Sequence, residues 1–119
     1  MTYLGARTRN QIVADHLRNV SLATDDGSEG FRGTVVDLLS RELGARTFVR
    51  PKIFGCGPNT MLRNLSELAL SLGIPCEVSL ECAMACGFGI CQGCPVEGAG
   101  HNGKRYHLVC KEGPVFDAR

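Results

Sequence analysis

Cysteine is the residue type whose number and spacing promise chemistry in this chain. Seven cysteines occur in 119 residues, and four of them fall as Cys86, Cys91, Cys94 and, beyond a polar glycine-rich stretch, Cys110. C-x4-C-x2-C with a distant fourth cysteine is the plant-type ligand spacing for a 2Fe-2S cluster, in which four thiolates hold two irons. The first three stand in Cys86-Gly87-Phe88-Gly89-Ile90-Cys91-Gln92-Gly93-Cys94. Glycines there let the backbone reach positive φ, fold tightly around an inorganic core and turn N–H groups onto its sulfurs. Structural zinc is the rival reading. Zinc usually takes its ligands as two C-x2-4-C knuckles, whereas only Cys91 and Cys94 form a tight one here. Unligated or disulfide-bonded cysteines are the third reading. The leading expectation is one-electron transfer, with the four cysteines as ligands and no catalytic nucleophile.

Composition narrows the setting. A chain of 119 residues can bury one modest core. The odd cysteine count, and an opening Met1-Thr2-Tyr3-Leu4-Gly5-Ala6-Arg7 without a signal-type apolar stretch, favour a reducing, cytoplasmic compartment over a secreted disulfide scaffold. Thirteen basic and 12 acidic residues are well mixed, giving a net charge of +1. That leaves no nucleic-acid footprint, and the apolar runs fall far short of a membrane span.

The elements that must position these cysteines alternate between strand-like and helix-like segments. Thr2 to Ala6 reads as a short strand, and Ile12, Val13, His16 and Leu17 share one face of a short helix. Val20 to Thr24 reads as a strand ending in the turn Asp25-Asp26-Gly27-Ser28. From Gly33 to Gly44, Val36, Leu39 and Leu43 recur at helical spacing with a glycine stop. Phe48 to Phe54 reads as a strand with Pro51 near its start. The clearest helix runs from Pro58, with Met61, Leu62, Leu65, Leu68, Ala69 and Leu72 as its stripe, to a stop at Gly73. Such alternation predicts an α/β fold with parallel strands and crossover helices. Beyond Gly73 the pattern changes: one strand from Ile74 to Leu80, the cysteine loop, a polar turn from Gly98 to Gly103 containing His101, and a short strand from Tyr106 to Cys110. The expected division is therefore residues 1–73 and a small cluster-binding module over 74–119.

Several motifs stand in a defined order. They are Ala23-Thr24-Asp25-Asp26-Gly27-Ser28 with Gly30 and Gly33, Gly55-Cys56-Gly57-Pro58 with Met61, Val78-Ser79-Leu80-Glu81 before Met84-Ala85-Cys86-Gly87, and Cys110-Lys111-Glu112-Gly113-Pro114-Val115-Phe116-Asp117. Together they resemble the electron transfer subunit of class 1B dihydroorotate dehydrogenase, C-terminal portion only. The resemblance implies the ferredoxin-reductase superfamily architecture of an FAD-binding barrel, a nicotinamide-nucleotide domain and a terminal 2Fe-2S module. Residues 1–73 would be the C-terminal half of the NAD-binding domain, a partial Rossmann-like parallel sheet. No barrel-length run of strands, no Arg-x-Tyr-Ser-like flavin motif and no glycine-rich first nucleotide loop is present. FAD and NAD are thus expected only in a complete assembly.

The resemblance also suggests cofactor-binding roles for Thr24, Asp25, Asp26, Gly55, Cys56, Gly57 and Pro58. Gly55 to Pro58 would lie beside nicotinamide and flavin, although the same small residues suit any tight strand-to-helix turn. Asp25 and Asp26 would follow the strand carrying nucleotide-ribose contacts and disfavour the extra phosphate of NADP by repulsion, although they also suit a plain turn. Cys76 reads as a small buried apolar side chain. Cys82 is an alternative ligand only if the loop repacks, and His101 and His107 read as surface residues or outer neighbours of the cluster. In the resembling enzymes dihydroorotate is oxidised at FMN of a catalytic subunit, electrons pass singly through the cluster, and FAD reduces NAD. The low-charge loop around Phe88 is the expected contact surface for that FMN-containing partner. Two other assignments stay open: the small subunit of an NADH-dependent ferredoxin or sulfide oxidoreductase, which tends to carry Asp where this chain has Cys86, and a non-redox module with a four-cysteine structural zinc.

Overall fold

The computed structural model describes residues 1–98 and 105–118. The chain forms two compact units, Met1–Val49 and Arg50–Arg119. In the first, β1 (Thr2–Ala6), β2 (Val20–Thr24) and β3 (Phe31–Arg32) make a parallel sheet in the order β1-β2-β3. Helix α1 (Val35–Ala45) packs on β1 and β2 with Leu38 and Leu39 buried. A capping box fixes its start: Thr34 Oγ1 accepts from the Asp37 N–H at 3.1 Å, and Asp37 Oδ2 accepts from the Thr34 N–H at 3.1 Å. Two otherwise orphaned helix-entry donors are satisfied in this way.

The second unit opens with a βαβ element of β4 (Ile53–Cys56), α2 (Asn59–Leu72) and β5 (Cys76–Ser79), the two strands parallel. The α2 stripe buries Leu62, Leu65 and Ala69 on the face of the sheet that carries Ile53, Cys76 and Val78. Burial of each large side chain contributes about 1.5–3 kcal/mol. Gly73 ends the helix in the left-handed conformation at φ 64°. Strand β8 (Val115–Asp117) adds antiparallel to β5 and completes the order β4-β5-β8. Between β5 and β8 lie the cysteine loop, the antiparallel pair β6 (Pro95–Glu97) and β7 (Tyr106–Leu108), and the single turn α3 (Val109–Glu112). The α/β class with parallel strands and helices is as expected, and the parallel pairing is divided between the two units.

Three local expectations are corrected. Instead of a helix through Ile12 to Leu17 there is only a 3-10 turn at Arg9–Gln11. His16 and Asn19 take positive φ of 67° and 53°, and Val13 is exposed, so the apparent apolar face has nothing to pack on. The strand expected over Phe48 to Phe54 starts only at Ile53, because Arg50 turns at φ 50° and Pro51 has no N–H to give to a ladder. The strand expected over Tyr106 to Cys110 stops at Leu108, which puts Cys110 in the turn of α3. His101 and the turn beyond Gly98 lie outside the described residues.

Gly55 sits where β4 passes closest to α2. A Cβ there would run into Leu65 Cδ2 and lie 3.3 Å from Leu62 Cδ2. Gly55→Ala is expected to lower stability by about 1–3 kcal/mol in urea unfolding, the usual range for overpacking. Combining it with Leu65→Ala should cost less than the sum of the single changes, since the second removes the obstacle met by the first.

Candidate iron-sulfur centre and nucleotide-type turns

The cysteine loop is built by residues that bend the backbone where side chains would resist. Gly87 and Gly89 take φ of 74° and 90°, and Gln92 takes 52°. These bends turn N–H groups inward. The Gly93 N–H donates to Cys91 Sγ at 3.4 Å, and the Cys110 N–H donates to Cys94 Sγ at 3.5 Å. Cys94 and Val109, 4% and 0% exposed, are the buried anchors, joined by the Val109 N–H to the Cys94 carbonyl at 3.0 Å. Of the four cysteines singled out by spacing, Cys94 and Cys110 are thus joined by a direct contact, and Cys86 and Cys91 lie on the one bent loop.

Electrostatics follow from those contacts. The Cys91 backbone N–H, then that of Phe88 and the Cys91 thiol, bring Cys86 down to about 6. The Cys110 backbone N–H, followed by the Cys110 thiol, lowers Cys94. Cys110 is raised by its hydrogen bond to Cys94 and then by desolvation. Cys82 is raised by desolvation first and then by the charge and hydrogen bond of Cys94. Thiolates are favoured at Cys86 and Cys94, and a thiolate is the form that ligates metal.

This donor set fits an iron-sulfur cluster by its chemistry: four soft sulfurs at the plant-type spacing, with backbone N–H groups donating to Cys91 and Cys94 to offset anionic charge. Among the described residues no group of three or more His, Cys, Asp or Glu side chains converges closely enough to hold a metal ion. All seven cysteines are free thiols. Cys76 is buried at 5% exposure, as a small apolar side chain would be.

Sequence reasoning missed the brace beneath Cys110. Glu112 Oε2 accepts the Leu108 N–H at 2.9 Å, and Glu112 Oε1 lies 3.4 Å from His107 Nδ1. The His107 ring in turn packs 6.2 Å, centroid to centroid, from Phe116 of β8. Only the folded turn brings Glu112 back to the residue that opens α3, so no motif announced it.

The nucleotide-type residues fall in both units. Thr24, wholly buried at the end of β2, donates from Oγ1 to the Glu29 carbonyl at 2.7 Å and accepts the Glu29 N–H at 3.0 Å. Asp26 Oδ1 accepts from the Ser28 hydroxyl at 2.6 Å and the Ser28 N–H at 2.9 Å, and these bonds hold its carboxyl below the usual range. Asp25 and Asp26 are both exposed. In the second unit, Gly55 and Cys56 end β4, Gly57 bends at φ 153°, and Pro58 precedes α2, whose start has no side-chain cap. Gly57, Pro58 and Asn59 line an open depression of about 320 Å³ together with Glu81, a residue not anticipated there.

Removing the brace should loosen the turn that carries Cys110. Glu112→Ala is expected to speed amide exchange at Leu108 and Cys110 roughly fivefold, the equivalent of one hydrogen bond of about 1 kcal/mol. Glu112→Gln, which keeps an acceptor, should change it less.

Comparison with known proteins agrees with this geometry. Residues 81–119 match the family described as the iron-sulfur cluster binding domain of dihydroorotate dehydrogenase B. The chain is 40% identical over 119 residues to the electron transfer subunit of dihydroorotate dehydrogenase B (NAD(+)) of Desulforamulus reducens, covering 96% of this chain and 45% of that one. It is also 40% identical to a probable subunit of the same kind from Methanocaldococcus jannaschii, over 97% of this chain and 43% of the relative. Among solved structures it is similar to a chain of an NADH-dependent reduced ferredoxin-NADP oxidoreductase, with TM-score 0.80 and 31% identity over 98% of this chain and 42% of that one. It therefore spans less than half the length of the curated relatives it matches. No helix among the described residues is long and apolar enough to cross a membrane. With the ordered motifs, the α/β elements and the thiol-lined loop, these matches make the chain a relative of the dihydroorotate dehydrogenase B electron transfer subunits, corresponding to their C-terminal portion and containing their iron-sulfur cluster binding domain.

Proposed function

We propose that this chain is a one-electron relay, with Cys86, Cys91, Cys94 and Cys110 holding a 2Fe-2S cluster between FAD and NAD(H) on one side and the FMN of a dihydroorotate dehydrogenase catalytic subunit on the other, in pyrimidine biosynthesis. The observation that carries this reading is the C-x4-C-x2-C spacing with a distant fourth cysteine, on a loop bent at Gly87, Gly89 and Gln92, with the Gly93 and Cys110 N–H groups donating to the Cys91 and Cys94 sulfurs. When bound, the cluster supplies reversible uptake of a single electron. The chain's own part is to supply four sulfurs, to offset their charge with N–H groups of the 86–94 loop and α3, and to keep Cys94 from water. Met84, Phe88 and Ile90 are exposed at 49%, 66% and 75% on the same loop and carry no charge. A partner can approach there without stripping water from ionised groups.

Residues 74–119 act as the cluster module and residues 1–73 as the C-terminal half of an NAD-binding domain. Thr24, Asp25, Asp26, Gly55, Cys56, Gly57 and Pro58 contribute to a nucleotide site completed in a larger assembly that also holds FAD. The exposed acidic pair Asp25 and Asp26 favours NAD over NADP by repulsion of the extra phosphate. A cytoplasmic location is in keeping with seven free thiols.

Iron and acid-labile sulfide analysis of the purified chain is expected to return about two of each per copy, the stoichiometry of the 2Fe-2S type. Cys86→Ser or Cys94→Ser should bleach the visible spectrum and loosen residues 74–119, because ligand binding and folding are coupled in so small a module. Stoichiometric zinc without labile sulfide rejects the reading.

A second reading draws on the similarity to the NADH-dependent reduced ferredoxin-NADP oxidoreductase chain: the same module relaying electrons within a ferredoxin-dependent flavoprotein. Cys86 at the first ligand position, where such subunits tend to carry Asp, favours the first. Purification of the native complex separates them. A flavoprotein partner that oxidises dihydroorotate is expected, and one that instead couples reduced ferredoxin to a nicotinamide nucleotide would select the second.

A further inference from the structure

Two parallel strands end together at one of the turns proposed above for the nucleotide. The last paired residues of β4 and β5 are Cys56 and Ser79. Gly57 follows the first by one position and Glu81 follows the second by two, so the register delivers Glu81 to the Gly57-Pro58 turn from the neighbouring strand. Both residues line the open depression of about 320 Å³, together with Pro58 and Asn59. The carboxyl ends of parallel strands are where open α/β sheets take their ligands. Of the described residues that line the depression, Glu81 alone is ionisable. Its side chain is exposed and makes no hydrogen bond or ion pair with another described residue, so nothing in the fold uses its charge. A carboxylate in that position attracts a cation and repels an anion. The oxidised nicotinamide ring is a pyridinium cation, and the ring that has taken up hydride is neutral.

We infer that Glu81 is a specificity-determining residue of this site, its carboxylate favouring the cationic, oxidised nicotinamide over the neutral, reduced one. The discrimination is between two states of one ring and follows the direction of turnover. NAD+ is drawn in as the acceptor, and the attraction ends once hydride, two electrons with one proton, has passed to the ring. The inference rests on the nucleotide reading above and adds to it the residue that senses the charge of the ring.

The test is equilibrium binding to the native complex of this chain with its flavoprotein partner, held oxidised, for the wild type, Glu81→Gln, Glu81→Ala and Glu81→Asp. The two probes are NAD+ and tetrahydro-NAD, an unreactive analogue whose ring is neutral. Both carry the same diphosphate and adenosine, so contributions from those parts cancel in the ratio of the two dissociation constants. Glu81→Gln is expected to weaken NAD+ about threefold to fivefold, the upper range for a solvent-exposed charge pair, and to leave tetrahydro-NAD unchanged. Glu81→Ala should give the same ratio, which keeps the result independent of one variant's folding, and Glu81→Asp should keep part of the wild-type preference. Added salt should shrink that preference in the wild type and not in Glu81→Gln, because screening acts on the pair that only the wild type has. Equal weakening of both probes makes Glu81 part of the scaffold and overturns the inference. An unchanged ratio in Glu81→Gln and Glu81→Ala also overturns it, while leaving the nucleotide reading intact. A wild-type complex that binds neither probe fails at the earlier step and removes both.

Discussion

Crowding of sulfur is the constraint on which the C-terminal part of this molecule depends. Thiolates close together repel one another, and the segment from Cys82 to Cys110 has few apolar side chains to hold them by burial. The compensation is made by the backbone. N–H groups of Phe88, Gly89, Cys91, Gly93 and Cys110 turn onto sulfur, and the Cys86 thiol falls to about 6 as a result. Left-handed turns at Gly87 and Gly89 permit this. The loop's shape and its electrostatics are therefore one property: straightening the bends would remove the donors that make the sulfurs tolerable neighbours.

What holds that loop in place is a small corner. The Cys94 carbonyl accepts the Val109 N–H, Cys94 Sγ accepts the Cys110 N–H, and Val109 is fully buried. Two cysteines sixteen residues apart in sequence are fixed on a single backbone joint where β7 gives way to α3. Glu112 and His107 steady the joint, and β8 continues from it onto β5, so the chain enters and leaves the thiol segment on neighbouring strands of the β4-β5-β8 sheet. A metal centre that transfers electrons benefits from such rigidity, because ligands that stay put need little rearrangement between charge states.

The nucleotide-type turns are organised differently. Thr24 and Asp26 spend their hydrogen bonds on the local loop, with Glu29 and Ser28. Gly55 is set by the approach of α2, while Gly57 and Pro58 leave the helix start without a side-chain cap. Each turn is thus shaped by its own unit. That is in keeping with a chain that matches less than half the length of its relatives, and with the proposal that the rest of a nucleotide site is supplied elsewhere.

Periodicity and punctuation were enough to read the sheet half: Val20–Thr24 as a strand, and a helix between Pro58 and Gly73 with Leu62, Leu65 and Ala69 inward. Both are local properties, set by an alternating or 3.6-residue apolar pattern and by residues that cannot continue it. The same cues misread Ile12 to Leu17, where an apolar face exists in sequence but finds no surface to bury against, and started the strand around Pro51 a few residues too early. The cysteine spacing named the four candidate ligands because a cluster imposes its own distances on the chain. Tertiary structure alone decided which amides face the Cys91 and Cys94 sulfurs and that Glu112 turns back onto Leu108 and His107. Those contacts join residues two to sixteen positions apart through a segment with no period, where packing and hydrogen bonding across the fold, and not any pattern along the chain, set the outcome.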